Sequence, residues 1–255
     1  MKSSQTLRAV FYLLLSLFGM LLGSLLPQPL STACHLLFVL LALFLEKRCF
    51  EAEASPRLYL RSVLALPRLW LLFPAFAFCT MGANLLSARI TAALGGTLPG
   101  VTPSLPLFFG AVLLAPIAEE LLFRGLLLRL FIPYGERGAV LLSAVLFALA
   151  HGSIFQIPYA LVAGLFLGYT AVCSKGLFYP LVFHLLYNLF AFFGNAIPTR
   201  PLLLSLLGLA IFSLLLFVLG KHPSRLTRGK RPTAREMLPL LLYATLMIVF
   251  AVFNF

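Results

Sequence analysis

Seven residues in the middle of this sequence have the types and spacing of a chemical site. Glu119, Glu120 and Arg124 lie in LFFGAVLLAPIAEELLFRGLLLRL, Phe147 and His151 in AVLLSAVLFALAHGS, and His184 and Asn188 in GLFYPLVFHLLYNLFAFF. Carboxylates and imidazoles take and give protons. An amide donates a hydrogen bond to developing negative charge without itself ionising. Glu120 and Arg124 stand at i and i+4, share a helical face and can form an ion pair. Glu119 is turned about 100° away and is the carboxylate left available. Phe147 and His151 repeat the spacing, so the ring can lie beside the imidazole. His184 and Asn188 repeat it again and put two hydrogen-bond donors on one face.

All three motifs sit in runs too apolar for a soluble helix. Ionisable groups inside a membrane span are costly and default to a functional reading. The patterning predicts spans at roughly 9–27, 30–46, 69–94, 105–130, 138–153, 155–173, 176–195, 201–220 and 237–254, hence eight or nine crossings. Residues 47–68 mix charge with apolar residues and suit the membrane interface. Residues 95–104 form an uncharged Gly/Pro loop, and 221–235 a basic one. At a rise of ~1.5 Å per residue, Glu119 lies ~15 Å from Arg129, His184 ~14 Å from Lys175 and His151 ~21 Å from Arg137. Three helices therefore bring polar groups to one slab near the middle of the bilayer.

Composition leads to the same solvent. Hydrophobic residues make up 62% of the chain and charged residues 10%, with a mean hydropathy of +1.05. A soluble domain carries about 25% charged residues. The long unalternating apolar runs exclude a lipid-facing β-barrel. The fold class expected is all-α: one polytopic transmembrane helical bundle over 1–255. The net charge of +12 points to basic loops on one face of a membrane, not to nucleic acid. With the N-terminus cytoplasmic, alternation leaves only Arg89 and Arg200 outside, as the excess of Lys and Arg in cytoplasmic loops requires. A retained first span suits the N-terminus better than a cleaved signal. The four cysteines, Cys34, Cys49, Cys79 and Cys173, show no paired spacing and are expected as reduced packing residues. His35 is expected as a packing residue, and His222 as solvated.

Glu119-Glu120-x-x-x-Arg124, Phe147-x-x-x-His151 and His184-x-x-x-Asn188 together resemble the signature of the CPBP family: the type II CAAX prenyl endopeptidases and their bacterial, bacteriocin-immunity-like Abi relatives. Order and spacings all fit, over a core of about 105–195. The resemblance implies an intramembrane glutamate protease acting on a membrane-associated peptide or protein, lipidated or not. It implies Glu119 as catalytic base and His151 as its partner on the water. His184 and Asn188 would hold the oxyanion, and Glu120, Arg124 and Phe147 would support the site. Membrane lipid and the peptide substrate are then the partners, and a bacterial cell membrane the location.

Three other readings stay open on the residues alone. A non-catalytic membrane scaffold or bacteriocin-immunity protein could use the same fold. A transporter could use Glu and His as a proton relay. A metal mechanism could take zinc on Glu119, His151 and His184 with an open fourth position. The absence of HExxH and the oxyanion-type donor at Asn188 favour a site with no cofactor.

Overall fold

A computed structural model of the chain describes residues 3–49, 67–93, 103–194 and 232–253, with scattered positions within 207–218 and 226–229. All regular structure among the described residues is helical. Helix α1 is Ser3–Gly23 and α2 is Leu30–Cys49. A 3-10 turn, Pro67–Leu71, leads into α3, Leu72–Ala93. Helix α4 is the helical run Leu105–Tyr134. Then come α5, Glu136–Ala150, α6, Ile157–Ser174, α7, Phe178–Gly194, and α8, Ala234–Phe253.

Six of these (α1, α2, α3, α4, α6 and α8) are long and apolar enough to cross a bilayer, and Phe178–Phe193 in α7 is a shorter apolar helix. Among the described residues six helices are thus of spanning length, and the expected count of eight or nine is not established. The crossing expected at 138–153 is the 15-residue α5, about 22 Å long against a ~30 Å hydrocarbon core. The expected crossing at 201–220 falls largely outside the described residues, as do most of the 47–68 interfacial segment, most of the 95–104 loop and most of the basic 221–235 loop.

The bundle turns apolar side chains outward, including Phe18, Leu37, Phe44, Leu86, Ile90 and Leu242. Water would penalise such a surface, and lipid does not. Inside, helices approach through small residues and aromatic contacts. Helix α6 meets α5 at Gly164, where a Cβ would lie 2.9 Å from the Ala144 Cα, and at Gly168, where it would lie 3.2 Å from Val140 Cγ1. This is the small-xxx-small packing of membrane helices. Helix α3 meets α7 through rings: Phe76 lies 6.1 Å from Phe183 and 5.5 Å from Tyr187, and Phe73 lies 5.2 Å from Phe183. Between α1 and α2 the glue is polar: Glu46 accepts from Arg8 Nη1 at 3.1 Å and from the Tyr12 hydroxyl at 2.7 Å.

Candidate active site

Helix α4 presents the two carboxylates on a segment of ordinary α-helix, Ala115–Glu120, flanked by π-helical stretches Phe108–Leu114 and Leu121–Leu127. Such stretches recur at functional sites. The first has an identifiable cause and consequence. The Ala115 N–H bonds back to the Gly110 carbonyl, and Pro116 has no N–H to give. The Ala111 carbonyl is thereby left without a helical donor. Asn188 on α7 supplies one, its Nδ2 donating to that carbonyl at 3.0 Å. One amide proton of Asn188 is thus committed, which fixes the orientation of the other.

Glu120 is almost completely buried. Its Oε1 accepts from Arg124 Nη1 at 2.8 Å and pairs with His184 Nδ1 at 2.9 Å. Arg124 is further held by the Gly164 carbonyl, 3.3 Å from Nη2, and by the Phe147 ring, whose centroid lies 4.5 Å from the guanidinium carbon. The expected i, i+4 pair is present. Glu119, the carboxylate expected to be left available, is 23% exposed, and its Oε2 lies 3.6 Å from His184 Nε2. His184 therefore bridges the two carboxylates, one through each ring nitrogen.

His151 is placed by the end of its helix. Helix α5 stops there because Gly152 takes a left-handed conformation (φ 62°) and bonds back to the Leu149 carbonyl at 3.0 Å. The His151 Nδ1 lies 2.9 Å from the Phe147 carbonyl. A carbonyl can only accept, so Nδ1 carries the proton and Nε2 is the nitrogen left for other chemistry. The Phe147 ring packs on both histidines, 4.9 Å from His151 and 5.9 Å from His184. All seven residues singled out in the sequence thus converge on one region of the fold.

Two cavities meet there. A small one, about 100 Å³, is lined by Glu119, His151, His184 and Asn188 together with Phe76, Tyr159 and Tyr187. A larger one, about 270 Å³, shares Glu119, Phe147 and His151 and opens toward α1 and α2. Sequence reasoning passed over Tyr159, whose ring lies 6.0 Å from His151. It also passed over Gly164, although the GxxxG spacing with Gly168 was a readable signal. His35 is buried as expected, but Ser16 Oγ lies 2.7 Å from its Nε2 and it faces the larger cavity, so packing alone does not describe it. Among the described residues, no three His, Cys, Asp or Glu side chains form a set able to hold a metal ion.

Residues 101–190 match the Rce1-like family of type II CAAX prenyl endopeptidases. No curated protein and no solved structure matches the chain. The matched segment spans every motif of the site, from Glu119 to Asn188, and over it the chain is similar to the type II CAAX prenyl endopeptidases.

Proposed function

We propose that the protein is an intramembrane endopeptidase in which Glu119 activates water against a peptide bond of a membrane-associated substrate. The observation that carries this reading is the bridging of Glu119 and Glu120 by His184, at the wall of a cavity that also holds His151 and Asn188. Glu120, Arg124 and Phe147 hold one another and serve as the brace. Glu119 has the cavity before it and takes a proton from water. The Nε2 of His151 accepts the water's second hydrogen and so orients it. The water oxygen attacks the carbonyl carbon, and the charge that gathers on the carbonyl oxygen is met by His184 Nε2–H and by the second amide proton of Asn188. The carbon–nitrogen bond then breaks, and the amine leaves with the proton held by Glu119. No metal takes part in this scheme. Preorganised donors of this kind are the largest single contribution in many hydrolases.

The basic loops support an N-terminus on the cytoplasmic side, and the location proposed is a bacterial cell membrane. The test of function uses purified protein and a peptide library, with cut sites mapped by mass spectrometry. Wild type is expected to cut and Glu119→Gln to fold without cutting. A Glu119→Gln enzyme that cuts at the wild-type rate would refute the assignment.

A further inference from the structure

The larger cavity is built on its far side by α1 and α2, outside the 101–190 segment that carries the family match. Ser16, Gln28, Ser31, Thr32 and His35 line that side. Three of them, Ser31, Thr32 and His35, fall along one face of α2, and Gln28 stands in the turn before it, in a segment otherwise written for lipid. Two local bonds fix them: Ser16 Oγ with His35 Nε2 at 2.7 Å, and Thr32 Oγ1 donating to Gln28 Oε1 at 2.8 Å. The remaining polar capacity, notably the Gln28 amide N–H groups and the Ser31 hydroxyl, is a mixture of donors and acceptors. Leu17, Met20, Leu122 and Phe123 supply apolar wall to the same space. At ~30 Å³ per water, about 270 Å³ is far more room than one attacking water needs.

Charge narrows the occupant. Among the described residues, no Lys or Arg lines this cavity, and its one carboxylate is Glu119. Arg124 is spent on Glu120 and Gly164 below. A peptide's terminal carboxylate or an acidic side chain would meet a like charge here with no cation to answer it. An internal, uncharged stretch of chain meets what it requires: alternating donors and acceptors for its backbone and apolar surface for its side chains.

We propose that this second chamber binds the uncharged, apolar stretch of substrate peptide adjoining the cleaved bond, with Ser16, Gln28, Thr32 and His35 reading its backbone. The proposal rests on the protease reading above, and its test separates the two. Thr32→Cys is introduced into the full chain in lipid nanodiscs, in wild-type and Glu119→Gln backgrounds. A water-soluble cationic methanethiosulfonate is added, and modification is followed residue by residue by mass spectrometry. Cys34, on the same helix but not lining the chamber, is the internal reference, and Leu37→Cys, on the lipid-facing surface, the external one. The thiol at position 32 is expected to react at least ten-fold faster than that at 37. A mixture of uncharged apolar peptides should slow it at least ten-fold in both backgrounds, and a matched acidic mixture should not. An unreactive position 32, or equal protection by acidic peptides, overturns the proposal. Cutting of the library without protection at 32 leaves the protease reading standing and removes the chamber. Protection without cutting does the reverse.

Discussion

Replacing Glu120 by Gln keeps the shape of the side chain and removes its charge. In the native site one oxygen, Oε1, serves both Arg124 at 2.8 Å and His184 at 2.9 Å, and all three side chains are buried. The amide oxygen can still accept, but the Arg124 guanidinium loses the charge that compensates it. The Gly164 carbonyl and the Phe147 ring offer only dipole and quadrupole in return. Breaking a buried pair by neutralising one partner costs about 3–5 kcal/mol. At roughly 2–4 °C per kcal/mol for a chain of this size, Glu120→Gln should melt on the order of 10 °C below wild type. The assay is intrinsic fluorescence in detergent. Trp70 is the one tryptophan and sits 5.5 Å from both Tyr179 and Phe183, so its emission reports helix packing. The double variant Glu120→Gln/Arg124→Gln removes the orphaned charge as well, so it should recover part of the loss. A single variant within 2 °C of wild type, as an order-of-magnitude bound from the same scaling, would refute the reasoning. So would a double variant equal to the sum of the singles.

Asn188→Ala should cut turnover about 100–1000-fold by removing an oxyanion donor. It should also cost about 1–3 kcal/mol by orphaning the Ala111 carbonyl, so both rate and melting temperature are to be measured. Gly164→Ala places a Cβ 2.9 Å from the Ala144 Cα, and backbone cannot rotate aside. A loss of about 1–3 kcal/mol is expected, against no loss for Gly82→Ala, whose Cβ meets nothing within 4 Å. Exhaustive chelation should leave peptide cutting intact; activity lost to chelator and restored by zinc would recast Glu119, His151 and His184 as ligands. An impermeant thiol reagent should reach cysteines placed in 95–104 from outside and those in 221–235 only after permeabilisation, and labelling of both from one side would break the proposed alternation.

The sequence made the membrane setting and the three motif helices legible, because apolar runs and i, i+4 spacings are local signals. The ion pair of Glu120 and Arg124 was readable for the same reason. The number of spanning helices is not established, since the expected crossing at 201–220 lies largely outside the described residues. The apolar run ending on His151 was legible, but not that Gly152 turns left-handed there. That turn is what sets His151 at the cavity. The link from Glu120 to His184 joins positions 64 apart in the chain, and no spacing within one helix contains it. Pro116 was the visible trace of the Ala111 contact. Its missing N–H predicts a carbonyl in search of a donor, yet only the fold shows that Asn188 answers.

Charge balance gives the last test. Two carboxylates and one guanidinium meet around His184, and Glu120 already takes the arginine. The side chain that faces Glu119 is His184, its Nε2 3.6 Å away. In the proposed mechanism Glu119, which faces the histidine, serves chemistry and not the bundle. Side chains kept for function commonly cost stability. Glu119→Gln should therefore melt at or above wild type while losing its turnover, the opposite of Glu120→Gln. Paired melting curves and cutting assays on the two variants decide the matter. If Glu119→Gln falls as far as Glu120→Gln, then Glu119 belongs to the structural brace, and the base must be sought elsewhere in the cavity.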